Sequence, residues 1–63
     1  MTLYTRGSIA TPWGTYIIGK DTGNAKPWSV FLERDGRLYQ AGKWYAYRGW
    51  AERELKKIKG DIA

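Results

Sequence analysis

The sequence predicts a single small α+β domain over residues 1–63, in which an antiparallel sheet of three to four strands packs against one C-terminal α-helix. Three observations indicate this fold. Strand-forming residues lie on both sides of an Asp35-Gly36 dipeptide, residues 49–59 have helical periodicity, and residues 15–20 are rich in β-branched and aromatic side chains. A chain of 63 residues buries only about 60% of its unfolded surface, so we expect one modest core.

The N-terminal part is predicted to form two strands joined by a turn. The first strand covers Leu3–Arg6 and the second covers Thr15–Lys20. Between them, Pro12 fixes φ for a turn, and Gly14 can take the positive φ that other residues avoid. Residues 21–24 include glycine and polar side chains, which is typical of a loop between two strands.

Residues 28–40 are predicted to form a β-hairpin. Asp-Gly is a preferred dipeptide for a two-residue type I′ turn, which needs positive φ at both central positions. Such a turn places Arg34 opposite Arg37 and Leu32 opposite Tyr39. One face of the hairpin is then entirely apolar and is expected to be the core face, with Trp28, Val30, Leu32, Tyr39 and Ala41. The other face is mixed and contains Ser29, Phe31, Glu33, Leu38 and Gln40.

The C-terminal region is predicted to form the helix. Ala51, Leu55 and Ile58 follow the i, i+4, i+7 spacing of one apolar stripe. Acidic residues near the beginning of the helix and lysines near its end complement the helix dipole, and Gly60 is placed as a C-terminal cap. The preceding segment 43–48 suits either a short strand or the approach to the helix, and we favour the strand.

Positive charge is concentrated towards the C-terminus. Eleven Lys and Arg residues against six Asp and Glu give a net charge of +5, and residues 43–60 alone hold six basic and two acidic residues, a net of +4. A solvated helix surface explains such charges without a partner, but a basic patch is also typical of nucleic-acid binding. The residues expected to contact DNA or RNA phosphates are Arg34, Arg37, Arg48, Arg53, Lys56, Lys57 and Lys59.

The order of these elements supports the same function. A hairpin followed by a basic helix, over residues 28–60, resembles the small sheet-plus-helix modules that some recombinases and transcription factors insert into a DNA groove. The resemblance rests on arrangement and implies no residue assignments. On the basis of the basic C-terminal helix and the Arg-flanked hairpin tip, we expect a non-enzymatic nucleic-acid-binding module.

Aromatic side chains indicate a second surface. They make up 16% of the chain, and Trp28, Tyr39, Trp44 and Trp50 are expected in the core. Bases stack on exposed rings, and aromatic residues are also enriched at protein interfaces. The alternative function is therefore a small adaptor or inhibitor, of a kind that viruses encode, that docks on an acidic protein; a homodimer is compatible with either function. The expected partner or stacking surface consists of Phe31, Leu38, Tyr45 and Tyr47.

Several other function classes lack the residues they need. The chain has no histidine and no cysteine, so we expect no enzyme, no cofactor, no disulfide and no zinc site. Gly14–Lys20 matches the spacing of a phosphate-binding loop, but Asp21 stands where that motif needs Ser or Thr. No apolar run approaches the ~20 residues of a membrane span and no segment resembles a signal peptide, so we expect no membrane partner and a cytoplasmic location.

Overall fold

The computed structural model describes residues 1–62 as four β-strands followed by one α-helix. The elements are β1 (Thr2–Thr11), β2 (Gly14–Lys20), β3 (Trp28–Arg34), β4 (Arg37–Gln40) and α1 (Arg48–Ile62). The strands form one antiparallel sheet in the order β1-β2-β3-β4, so each strand pairs with its neighbours in the chain. The α+β architecture predicted from the sequence is confirmed.

β1 is longer than the strand expected from the sequence, and it contains a bulge. Tyr4 pairs with Ile18 and Ile9 pairs with Tyr16, so residues between Tyr4 and Ile9 leave the regular ladder. Gly7 lies in this bulge with φ of 82°, a value that glycine adopts without steric strain. The glycine bends the chain just beyond the predicted strand Leu3–Arg6, and β1 then continues to Thr11. The turn predicted around Pro12 follows there and is confirmed.

The predicted hairpin is confirmed, including its register. Arg34 pairs directly with Arg37 across the two-residue turn. Asp35 has φ of 53° and Gly36 has φ of 77°, which are the two positive values that a type I′ turn requires. The local preference of the Asp-Gly dipeptide thus determines how β3 and β4 align.

α1 covers one face of the sheet and packs mainly on β2 and β3. Ile18 and Val30 from the sheet meet Ala51 and Leu55 from the helix in one buried cluster, in which Val30 and Ala51 are completely covered. Ile58 also packs against this cluster, so the apolar stripe predicted for the helix is confirmed.

Some residues expected on the core side are exposed. Tyr39 and Trp50 are each 50% exposed, and Ala41 is exposed as well. Tyr39 belongs to β4, which lies beyond the two strands on which α1 mainly packs. Trp50 flanks the apolar stripe and stays on the side of the helix. Trp28 and Trp44, by contrast, are half-buried.

The opposite face of the sheet is covered at its centre by the loop that follows β4. Trp44 from this loop packs edge-on against Phe31, with ring centroids 5.8 Å apart and an interplanar angle of 71°. The hydroxyl of Ser29 donates to the carbonyl oxygen of Lys43 at 2.9 Å and holds the loop against the sheet. Phe31 is only 5% exposed, so its assignment to an exposed partner or stacking surface is wrong.

The segment before the helix also differs from expectation. In the range 43–48 only Tyr45 forms a bridge, with Trp28, through backbone hydrogen bonds of 2.7 and 3.0 Å, so the favoured short strand is wrong. α1 begins at Arg48, and its first turn contains no acidic residue. The helix continues through Gly60, which lacks positive φ and is therefore not a C-terminal cap.

Replacing Gly19 by alanine is expected to destabilise the fold by about 1–3 kcal/mol. A Cβ at this buried position would lie 2.7 Å from Cε2 of Phe31 and 3.1 Å from Sδ of Met1, so the covered ring would have to move. The measurement is the urea midpoint of unfolding, followed by tryptophan fluorescence. Gly23→Ala is the matched control, because the nearest atom to its Cβ would be 3.7 Å away. Equal midpoints for the two variants would contradict tight packing around Phe31.

Candidate nucleic-acid interface

An open groove lies between β1 and α1. Its walls carry four cationic side chains, from the bulge of β1 and from one flank of the helix, and its volume is about 470 Å³. Apolar side chains of the core form much of the remaining lining. We call this surface the basic groove and define it by the cations Arg6, Arg48, Lys56 and Lys59, the acid Glu52, and the apolar residues Ile9, Ile18 and Leu55.

Helical spacing explains why these cations share one flank of α1. Arg48, Glu52, Lys56 and Lys59 follow the spacing i, i+4, i+8, i+11, and this row runs beside the buried stripe. Arg6 approaches the row from the bulge of β1. Two elements far apart in the sequence thus contribute to the same positive surface.

The positive charges in the basic groove exceed the negative ones. Arg48 Nε donates to Glu52 Oε1 at 2.9 Å, and this is the one salt bridge of the groove in the described part of the chain. Within the same part, Arg6, Lys56 and Lys59 form no salt bridge. This local excess of three cations attracts anions.

Arg48 is held in place by aromatic rings as well as by its salt bridge. Its Cζ lies 4.8 Å from the ring centroid of Tyr4 and 5.8 Å from that of Trp28. The two rings contact each other, with centroids 5.3 Å apart. Arg48 therefore has a structural role at the start of the helix in addition to its charge in the groove.

Exposed aromatic side chains lie on the other flank of α1 and just before it. Tyr47 is 71% exposed and Trp50 is 50% exposed. The guanidinium Cζ of Arg53 lies 5.0 Å from the centroid of the Trp50 ring, and Lys57 lines the same hollow. We call this surface the aromatic patch and define it by Tyr45, Tyr47, Trp50, Arg53 and Lys57.

A hydrogen bond supports the aromatic patch from beneath. The hydroxyl of Tyr45 donates to Oε2 of Glu54 at 2.9 Å, which links the segment before the helix to the helix itself. This hydrogen bond, followed by burial and the negative charge of Glu54, raises the pKa of Tyr45 above its ordinary value. Tyr45 is half-buried and also packs against the core cluster.

The hairpin tip is a third, separate location. Arg34 and Arg37 pair across β3 and β4, at the opposite edge of the sheet from β1 and its bulge. Arg34 Nε is 3.9 Å from Asp35 Oδ2, and both side chains are more than half exposed, so this ion pair contributes little. Leu38, next to the tip, is 40% exposed.

The residues predicted from the sequence are therefore divided among separate surfaces. The basic groove contains Arg48, Lys56 and Lys59. The aromatic patch contains Arg53, Lys57, Tyr45 and Tyr47. The hairpin tip has Arg34, Arg37 and Leu38, while Phe31 is buried and belongs to none of them.

Sequence reasoning missed two residues of these surfaces. Arg6 was placed in a short regular strand, and the adjacent Gly7 was the one local sign that the chain leaves the ladder there. Trp50 was expected in the core because large aromatic residues supply buried area. The helical spacing gave a sign of this: Trp50 lies about 100° from Ala51 around the helix, outside the buried stripe and on the flank away from Arg48.

Comparisons with protein-family models, with curated proteins and with solved structures found no match to this chain. In the described part of the chain, no three or more His, Cys, Asp or Glu side chains are grouped so as to hold a metal ion. No helix within residues 1–62 has both the length and the apolar character that crossing a membrane requires.

The pKa of Tyr45 predicts a loss of stability at high pH. The folded chain favours the neutral phenol, so this contribution is fully present below the ordinary pKa of 10.0 and is lost as the pH rises through the raised pKa of the folded state. The measurement is the urea midpoint of wild type and Tyr45→Phe from neutral pH to above 10.0. The difference between the two proteins is expected to shrink at the alkaline end.

Two further variants test the assigned cause. Glu54→Gln removes the carboxylate and is expected to lower the pKa of Tyr45 towards its ordinary value. Tyr47→Phe controls for the loss of an exposed hydroxyl. A pH-independent difference between wild type and Tyr45→Phe would contradict a role for the hydrogen bond to Glu54.

Proposed function

We propose that the protein is a non-enzymatic nucleic-acid-binding module whose basic groove holds the phosphate backbone of DNA or RNA. The observation that supports this proposal is the convergence of four cations from β1 and α1 on one groove with a single acid. Three of these cations have no salt bridge within the described residues. Neutralising phosphates there releases condensed counterions, which favours binding at low salt.

The length of the groove fits an extended polyanion. At about 1.5 Å of helix per residue, the row from Arg48 to Lys59 extends over about 16 Å. Glu52 lies within this row and pairs with Arg48, so the groove cations without a salt bridge in the described residues are Lys56, Lys59 and, from β1, Arg6. Each strand of a duplex advances about 3.4 Å per nucleotide, so these three cations can meet a few successive phosphates. A partner with regularly repeated negative charges can neutralise these three cations together.

An acidic protein is the alternative partner, but the surface expected for it has weaker support. Phe31 is covered by Trp44, and Tyr45 is engaged with Glu54, so the expected aromatic sheet face has lost two of its members. Leu38 and Tyr47 belong to different surfaces. A homodimer through the basic groove is disfavoured, since two positive surfaces repel each other. A cytoplasmic location, where nucleic acid is accessible, is part of our proposal.

The double variant Lys56→Gln/Lys59→Gln is expected to weaken oligonucleotide binding and to reduce the salt slope by about 2, or roughly 1 per phosphate contact. The measurement is fluorescence anisotropy of a labelled mixed-sequence oligonucleotide, titrated with protein at salt concentrations from about 50 to 200 mM. Single-stranded and double-stranded forms are both used. Both lysines are exposed, so the substitutions leave the core intact.

A charge-matched control separates the groove from net charge. Arg34→Gln/Arg37→Gln removes the same two charges at the hairpin tip, outside the basic groove, and is expected to reduce binding less. Equal losses in the two double variants would contradict a special role of the groove, because the hairpin tip or overall charge would then contribute as much to binding. Absence of wild-type binding at about 50 mM salt would overturn the proposed function and leave an acidic protein as the partner.

A further inference from the structure

Trp50 lines two hollows, one along α1 and one formed mainly by the loop before the helix. One hollow, already assigned to the aromatic patch, contains Arg53 and Lys57. The other is lined by Tyr47 together with Lys26 and does not include Arg53. Arg53 Cζ lies 5.0 Å from the centroid of the Trp50 ring, and it does not line this second hollow, so a flat group in the hollow can approach Trp50 and Tyr47 without displacing Arg53.

The charge around the aromatic patch is mainly positive. Arg53, Lys57 and Lys26 border the two hollows, and the one acid among their lining residues is Glu54. The carboxylate of Glu54 already accepts the hydrogen bond from Tyr45. Exposed rings surrounded by cations suit a ligand that combines a flat aromatic group with negative charge, and a nucleotide is such a ligand.

The two exposed rings are held on a defined backbone. The N–H of Trp50 donates to the carbonyl oxygen of Tyr47 at 3.2 Å, which joins the first turn of α1 to the residue before it. Tyr45 is fixed by its bridge to Trp28. The rings of Tyr47 and Trp50 therefore need little ordering of the backbone when a ligand binds.

The helix also provides a path between the patch and the basic groove. Lys56 lines the groove and Lys57 lines a hollow of the patch, although the two residues are consecutive. Successive side chains of a helix are about 100° apart, so these two lysines lie on either side of its outward face. A phosphate backbone crossing that face stays next to cations throughout.

We propose that the aromatic patch stacks an unpaired base, so that the preferred ligand of this protein is a single strand of nucleic acid. This inference rests on the proposed function, because the phosphates of the same strand would occupy the basic groove. A duplex keeps its base faces stacked on one another and cannot offer them to Trp50. A single strand offers them freely.

The test compares three ligands of equal length: a single-stranded oligothymidylate, a duplex, and a single strand of abasic sites. The abasic strand keeps the phosphates and lacks the bases. Wild type is expected to bind the oligothymidylate most tightly. Trp50→Ala is expected to weaken that binding by roughly 5- to 150-fold, the effect of losing one stacked base, and to leave the affinity for the abasic strand and the salt slope unchanged.

Two more variants complete the design. Tyr47→Ala removes the other exposed ring and is expected to act on the same ligand alone. Trp13→Ala is the matched control: Trp13 is 43% exposed, lies at the β1–β2 turn and lines neither hollow, so binding of all three ligands stays unchanged. Because alanine favours helix, Trp50→Ala retains α1.

The outcomes separate stacking from phosphate binding. Equal wild-type affinities for the oligothymidylate and the abasic strand would overturn the stacking proposal and leave the basic groove as the whole interface. Equal losses on all three ligands in Trp50→Ala and Tyr47→Ala would overturn it as well. If wild type binds none of the three ligands at low salt, the proposed function itself is wrong.

Discussion

The contact between the apolar stripe of α1 and strands β2 and β3 determines the rest of the surface. Without cysteine the chain has no disulfide, so burial around Val30 and Ala51 is the main source of stability. The same contact sets the rotation of the helix about its axis. Once Leu55 points into the sheet, Lys56 must face β1 and Trp50 must face the opposite flank. The rotation of α1 fixed by this contact therefore places the basic groove on one flank of the helix and the aromatic patch on the other.

Because the core is small, the exposure of large aromatic side chains needs a physical reason. A domain of this size buries little apolar surface, so each large side chain that stays in solvent gives up stability that its burial would provide. Phe31 is an aromatic ring that the fold does bury, because the loop after β4 places Trp44 against it. Tyr47 and Trp50 are left open next to cations. Trp13 and Tyr39 are exposed as well, so exposure alone does not indicate a ligand. Tyr47 and Trp50 differ because they line one hollow together, with Lys26 beside them.

Local signals in the sequence were sufficient to predict the hairpin and the helical stripe, but not the length of β1, the structure of residues 43–48 or the non-local contacts. The Asp35-Gly36 turn and the helical stripe depend on residues close in the chain, so the hairpin register and the side of α1 that is buried could be predicted. Tyr39 is exposed because α1 packs on β2 and β3 and does not extend over β4. Phe31 is buried because the loop after β4 covers it. Both depend on tertiary packing. For the site, the basic residues of the helix were recognised, but their division between two flanks, with Arg6 joining one, required the fold.

The bulge in β1 has a consequence for assembly. β1 is the longest strand and lies at an edge of the sheet, where unpaired backbone groups can recruit the strand of another chain and begin aggregation. The bulge divides this edge into two short regular stretches, Thr2–Tyr4 and Ile9–Thr11. An incoming strand meets a bend and the charge of Arg6 between them. The irregularity that brings a cation to the groove thus also protects the β1 edge of the sheet from fibre-like pairing.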